Sequence, residues 1–180
     1  VTHIHLLPSY DYASIDESWS EAQKAANTSK QFNWGYDPQN YNVPEGSYAT
    51  NPYNGAVRVN EMKQMVQTLH ANGINVIMDV VYNHVYDAEK FCFNKIVPNY
   101  FTRVAADGIY SNGSACGNDT ASERAMVKKY IVDSVLYWAT EYHIDGFRFD
   151  LVGLIDTETI NEVMEAVHAV RPDVVFYGEG

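Results

Sequence analysis

Val76-Ile77-Met78-Asp79-Val80-Val81 is the clearest strand in this sequence. It is almost continuously apolar and rich in β-branched residues, as a parallel strand covered on both faces should be. Residues 3–7, 146–150 and 174–177 read the same way. Helical periodicity fills the spaces between them. Residues 57–72 place Val59, Met62, Met65, Val66 and Leu69 on one face and stop at Asn72-Gly73, where glycine admits the left-handed turn that ends a helix. A second helix is predicted to open on Thr120-Ala121-Ser122-Glu123, a capping-box pattern, and then repeats Met126, Val127, Tyr130, Ile131, Ser134, Val135 and Trp138. A third covers residues 157–170, with Ile160, Val163, Met164, Val167 and Val170 as its stripe and Pro172 after it. The methionine and aromatic positions of these stripes read as core.

Strand and helix alternate, which predicts an α/β architecture around a parallel sheet. Residues 8–56 and 82–119 are connections much longer than ordinary turns. Both leave the carboxyl end of a strand, where α/β barrels and open sheets carry their active sites. The sequence begins and ends within strand-like runs, so residues 1–180 are expected to be an internal part of a larger barrel domain. Four strands and three helices are about half of what an eight-stranded barrel needs. Expressed alone, such a piece is expected to be unstable and inactive, because its sheet edges lack partners.

Composition narrows the function classes. The chain has 180 residues, 46% hydrophobic and 19% charged, which excludes a disordered chain. A formal net charge of −11 gives no electrostatic footprint for nucleic acid or anionic lipid. No apolar run approaches the ~20 residues of a membrane span. Fourteen tyrosines suit a surface that meets sugar faces. Cys92 and Cys116 read as two free thiols, and sequons stand at Asn27, Asn112 and Asn118. Localisation is left open.

The chemistry collects at strand ends. Asp79 leads into Tyr82-Asn83-His84, the third strand is Gly146-Phe147-Arg148-Phe149-Asp150, and the fourth runs into Tyr177-Gly178-Glu179-Gly180. Residues two apart share a strand face, so Arg148 and Asp150 point the same way. A guanidinium beside Asp150 is expected to keep it ionised, as a nucleophile must be. Glu179, flanked by glycines, is expected to sit where its surroundings hold a proton for donation. One ionised and one neutral carboxylate is the division of labour in glycoside hydrolysis.

Asp79-Val80-Val81-Tyr82-Asn83-His84, Gly146-Phe147-Arg148-Phe149-Asp150 and Tyr177-Gly178-Glu179 resemble, in order, the first three signature regions of the α-amylase family. That resemblance implies a (β/α)8 barrel, with the present strands as its second to fifth, and retaining hydrolysis of α-glucosidic bonds. It implies Asp150 as nucleophile, Glu179 as general acid/base, Arg148 as the residue orienting the nucleophile, His84 as a sugar-hydroxyl ligand and Asp79 as a structural residue at the base of the site. Asn83, beside His84, is a further candidate for substrate binding. Asn33-Trp34-Gly35-Tyr36-Asp37-Pro38, continued by Tyr41-Asn42-Val43-Pro44-Glu45-Gly46-Ser47-Tyr48, is similar to the mark of type I pullulanases, the debranching branch of that family. Tyr36 would then stack on the glucose ring at the cleavage subsite, while Trp34 is open between that role and packing the loop. Leu151-Val152-Gly153 after the nucleophile fits a debranching enzyme, and Phe32 stands where the family usually has tyrosine. The family's fourth region, which supplies a second Asp and a His, would lie after Gly180.

The resemblance implies cleavage of α-1,6-glucosidic bonds in pullulan, starch or glycogen, with an α-glucan as the partner. Hydrolysis of α-1,4 bonds by another family branch is the alternative. His3-Ile4-His5 puts two imidazoles on one strand face, the ligand pair of a metal-dependent amidohydrolase barrel; the plainer reading places them in the barrel wall. An inactive carbohydrate-binding relative would not need Asp150, Arg148 and Glu179 together. No cofactor is required by this reading, and no acidic cluster visible in the sequence obliges calcium.

Overall fold

The computed structural model describes residues 1–27 and 33–180. Phe32 and the Thr28 and Ser29 of the first sequon lie outside the described residues. The elements run β1 (His3–Leu6), β2 (Tyr10–Tyr12), α1 (Glu21–Ala26), β3 (Pro38–Pro44), α2 (Gly55–Ala71), β4 (Asn75–Val80), α3 (Cys92–Ile96), α4 (Ala125–Glu141), β5 (Gly146–Phe149), α5 (Thr157–His168) and β6 (Val175–Gly178).

The four expected strands form one parallel sheet in the order β1-β4-β5-β6. Its register aligns Ile77 with Gly146 and Val175, and one step on it aligns Asp79 with Arg148 and Tyr177. By strand alternation these rows share a face with His5, which pairs with Ile77. Inward rows of this kind are the layers of a barrel interior. Gly146 has no side chain because a Cβ there would lie 2.6 Å from Val175 and 3.0 Å from Ile77. The opposite face, with Val76, Met78, Phe147 and Phe176, packs into the core that α4 and α5 cover with Ile131, Val135, Trp138, Val163 and Val167.

Helix ends follow local chemistry. Asn54 caps α2 by accepting from Ala56 N–H, and Asp156 caps α5 by accepting from Thr159 N–H at 3.0 Å. The stop expected at Asn72-Gly73 is a Schellman turn: Gly73 takes φ 70°, Ile74 N–H donates to Leu69 O and Gly73 N–H to His70 O.

Three expectations need correction. The Thr120–Glu123 pattern does not cap a helix, for α4 begins at Ala125 without a side-chain cap. Ser122 instead accepts from Asp156 N–H at 2.9 Å, and its carbonyl accepts from Thr159 Oγ1, so it ties the start of α5 to the start of α4. Glu123 pairs with Arg103 at 2.8 Å. Met65, Met126 and Val170 are exposed rather than core, and Val170 lies past the end of α5.

Neither long connection is structureless. The first contains α1, a 310 turn at Gly46–Tyr48 and the antiparallel pair β2–β3; the second contains α3. Several of the tyrosines here turn inward, while Tyr48, Tyr53 and Tyr86 stay exposed. Tyr10, Tyr41 and Tyr82 are buried; the Tyr41 and Tyr82 rings stack at 5.0 Å, and Tyr10 meets Tyr41 edge-on. Their hydroxyls find partners, as buried phenols must. Tyr41 donates to His84 O at 2.6 Å, Tyr82 bonds Ser134 at 2.7 Å, and Tyr10 Oη accepts from Val81 N–H. This ring cluster seats β2–β3 against the end of β4, beside Asn83 and His84.

Candidate active site

Successive strands deliver their polar ends to one place. Arg148, on β5, is the hub. Its Nη1 donates to both oxygens of Asp79 at 2.9 Å and to Asp150 Oδ1 at 3.1 Å, while its Nη2 donates to Glu179 Oε2 at 2.6 Å. Asp79 and Arg148 are register partners, so their distance is set by the sheet itself. Asp150 and Glu179 follow β5 and β6 directly, and Glu179 N–H donates to Phe149 O, extending the ladder to Glu179 itself. One guanidinium therefore gathers the three carboxylates expected at strand ends.

Asp150 is buried, and Asn83 Nδ2 donates both to its Oδ2 and to its backbone carbonyl at 2.9 Å. The chain turns sharply after it: Leu151 takes a left-handed φ of 42°, which costs a branched residue about 1–2 kcal/mol and persists because the surrounding fold imposes it. Burial raises Asp150 above the ordinary carboxylate range, helped by the Glu179 carboxyl within hydrogen-bonding reach; Asn83 and Arg148 oppose the rise. Arg148 acts in the expected direction, but burial outweighs it. Glu179 does not stand in a neutral pocket either. It is about half exposed, and its immediate neighbour is a cation.

The stretch from Asn33 to Asp37 folds on itself. Asn33 Oδ1 accepts from Gly35 N–H at 2.7 Å and its Nδ2 donates to Asp37 at 3.0 Å. Gly35 takes φ 85°, and a Cβ there would collide with Pro8 O at 2.4 Å, so glycine is required. The turn directs the Tyr36 hydroxyl onto Asp79 Oδ2 at 2.7 Å. Burial and the Asp79 carboxylate both push the Tyr36 phenol up, so it stays a donor. Trp34, beside it, is 60% exposed.

His84 is buried with both ring nitrogens facing oxygens. Nδ1 lies 2.6 Å from Asn83 Oδ1 and Nε2 lies 3.0 Å from Tyr36 O. A neutral ring can donate to only one of them, and burial pushes its pKa below the usual histidine value. His84 thus sits between the Tyr36 turn and Asn83, bonded to one of them at a time, and Asn83 in turn donates to Asp150. The site expected from sequence comes together, with Trp34 at its open margin.

Two groups were not assigned to the site by sequence. Tyr177 faces the same side as Arg148, and its hydroxyl lies 3.1 Å from His5 Nδ1; His5 Nε2 is 3.6 Å from Asp79 Oδ2. The signal was present in the alternation, since Tyr177 is two residues before Glu179 and His5 pairs with the strand of Asp79. The amidohydrolase pair does not form, because His3 bonds Thr2 and Asn75 while His5 turns to Tyr177 and Asp79. The fold does build one acidic cluster invisible to spacing: Asp11, Glu17 and Glu45. Protein donors already occupy it. Arg58 and Gly46 N–H hold Glu17, Tyr12 and Ser47 N–H hold Glu45, and Asn40 holds Asp11.

This geometry can be set beside known proteins. The profile of the α-amylase catalytic domain matches residues 1–103. The chain is 47% identical over 180 residues to a pullulanase of Bacillus subtilis (strain 168), covering 100% of this chain and 24% of that protein. It is 38% identical over 213 residues to the chloroplastic pullulanase 1 of Arabidopsis thaliana, covering 100% of this chain and 22% of that one. Among solved structures, pullulanase from Paenibacillus barengoltzii in complex with maltohexaose and α-cyclodextrin matches with TM-score 0.92 and 53% identity, over 100% of this chain and 27% of that one. Type I pullulanase from B. subtilis complexed with maltose matches with TM-score 0.92 and 47% identity, over 100% and 24%. The chain spans about a quarter of the length of these relatives. Its parallel sheet is part of an α-amylase-type (β/α)8 barrel. Fold, ordered strand-end residues and profile agree, and the chain belongs to the α-amylase family, within its catalytic domain.

Proposed function

We propose that the protein is a debranching enzyme of the pullulanase kind: a retaining, endo-acting hydrolase of α-1,6-glucosidic bonds in pullulan and branched α-glucans. The observation that carries the reading is the Arg148 guanidinium bridging Asp150 and Glu179 from neighbouring strands. Both carboxyls reach one guanidinium, a closeness that suits a retaining pair better than an inverting one, which stands far enough apart to admit a water. The names of the relatives supply the linkage, since every curated match described above is a pullulanase.

In this reading Asp150 forms a bond to the anomeric carbon as the bond from that carbon to the bridging oxygen breaks. The departing oxygen takes the proton of Glu179. Glu179 then accepts a proton from water as the water oxygen attacks the same carbon, and the ester to Asp150 breaks with its electrons returning to the carboxylate. Two inversions leave the configuration unchanged. Tyr36, held by its hydroxyl on Asp79, offers its ring to the apolar C–H face of the glucose. The domain is proposed to continue beyond these four strands, where the second Asp of the family's fourth region would complete the set.

Digestion of pullulan by the protein at its full natural length tests the linkage. Maltotriose as the dominant product, released first as the α-anomer, is expected. Maltose-type products from linear starch, with pullulan untouched, would instead assign α-1,4 cleavage.

A further inference from the structure

We propose that His5 is a positioning residue for the catalytic carboxylates, acting through Asp79, and that the Tyr177 hydroxyl sets its orientation. The inference rests on the hydrolase reading above. His5 and Tyr177 come from the two outer strands of the sheet, β1 and β6, and meet across its inward face. The Tyr177 hydroxyl lies 3.1 Å from His5 Nδ1, and the rings meet edge-on at 5.8 Å and 88°. A phenol donating into Nδ1 leaves the ring proton on Nε2. That nitrogen points to Asp79 Oδ2 at 3.6 Å, an electrostatic contact rather than a hydrogen bond.

Asp79 is the fully buried carboxylate on which the site is built. It receives Arg148 on both oxygens and Tyr36 on Oδ2. Arg148 must also hold Asp150 and Glu179, so one positive charge serves three carboxylates. An N–H near Asp79 Oδ2 carries part of that load and leaves Nη1 in reach of Asp150. The groups facing His5 are Asp79 from β4 and Tyr177 from β6, with Arg148 and Tyr36 reached through Asp79. His5 touches neither Asp150 nor Glu179, so its effect passes through the guanidinium.

The test is steady-state kinetics on pullulan with the protein at its full natural length. His5→Phe keeps the ring and its edge contact but removes both nitrogens. It should lower kcat roughly tenfold with KM near the wild-type value, the scale of a small misplacement of catalytic groups. The acid limb of its kcat/KM profile should move to higher pH, because Arg148 is drawn toward Asp79 and away from Asp150. His5→Gln, which can still donate, should recover most of kcat. Tyr177→Phe, at a half-exposed hydroxyl, should show a smaller loss of the same kind and serves if His5→Phe does not fold. Wild-type kcat and an unmoved acid limb in His5→Phe, or in Tyr177→Phe where it stands in, would overturn the inference alone. Equal impairment of His5→Gln and His5→Phe would do the same. A wild-type protein that cleaves neither pullulan nor linear starch would overturn the hydrolase reading and this inference with it.

Discussion

Asn83 shows how a neutral residue can set the charge of the proposed nucleophile. Its amide donates to the side chain and the backbone carbonyl of Asp150 and is among the groups that hold the Asp150 pKa down against burial. Asn83→Ala removes that donor, so Asp150 should keep its proton to higher pH. If Asp150 acts as the anionic nucleophile proposed above, the rate on the acid side falls and the acid limb of kcat/KM moves to higher pH. A pH–rate profile of the variant superimposable on the wild type would show that Asn83 does not act on Asp150. At this scale the sequence was most informative for Asp150, Arg148 and Glu179, because strand alternation fixes which side chains share a face. It was least informative for protonation. The Arg148–Asp150 pairing could be read from spacing, but burial of Asp150 depends on the loops folded over it, and those are assembled from distant stretches. The convergence of Tyr36 and His5 on Asp79 likewise depends on tertiary distance, to which no local pattern refers.

At the scale of elements, long periodic segments were legible and short ones were not. The four strands and three helices were located from hydrophobic pattern and end signals, within five residues at their ends. β2 has three residues and β3 carries proline at both ends, so neither shows the β-branched alternation that marks a strand. Their stability comes from the Tyr10–Tyr41–Tyr82 cluster, which exists only once the chain has folded. The capping-box misreading has a similar cause. Ser122 finds a better use at the α5 N-terminus, and tertiary hydrogen bonds override the local pattern. One element carries a removable strain. Exposed His143, just after α4, takes φ 56°, a left-handed conformation that suits glycine. His143→Gly should therefore stabilise the protein by about 1 kcal/mol. Denaturant unfolding is the check, and a variant less stable than wild type would mean that the histidine side chain makes a contact worth more than the strain.

For the molecule as a whole, the sheet is arranged so that every strand contributes at least one polar side chain to a common point. β1 brings His5, β4 brings Asp79, β5 brings Arg148 and Asp150, and β6 brings Tyr177 and Glu179. The helices on the other face hold the strands in register, so the packing that buries Trp138 and Val163 also fixes the distance between carboxylates. β1 and β6 each have a free edge among the described residues, which agrees with a sheet that forms part of a barrel. In the proposed mechanism Asp150 attacks, and the rest of this array places and charges it. The most direct measurement is the turnover of pullulan by Asp150→Asn in the protein at its full natural length, beside wild type and with folding verified by thermal unfolding. Loss of kcat by at least about 10³-fold with the fold intact is the result this account requires; turnover within a few-fold of wild type would contradict it.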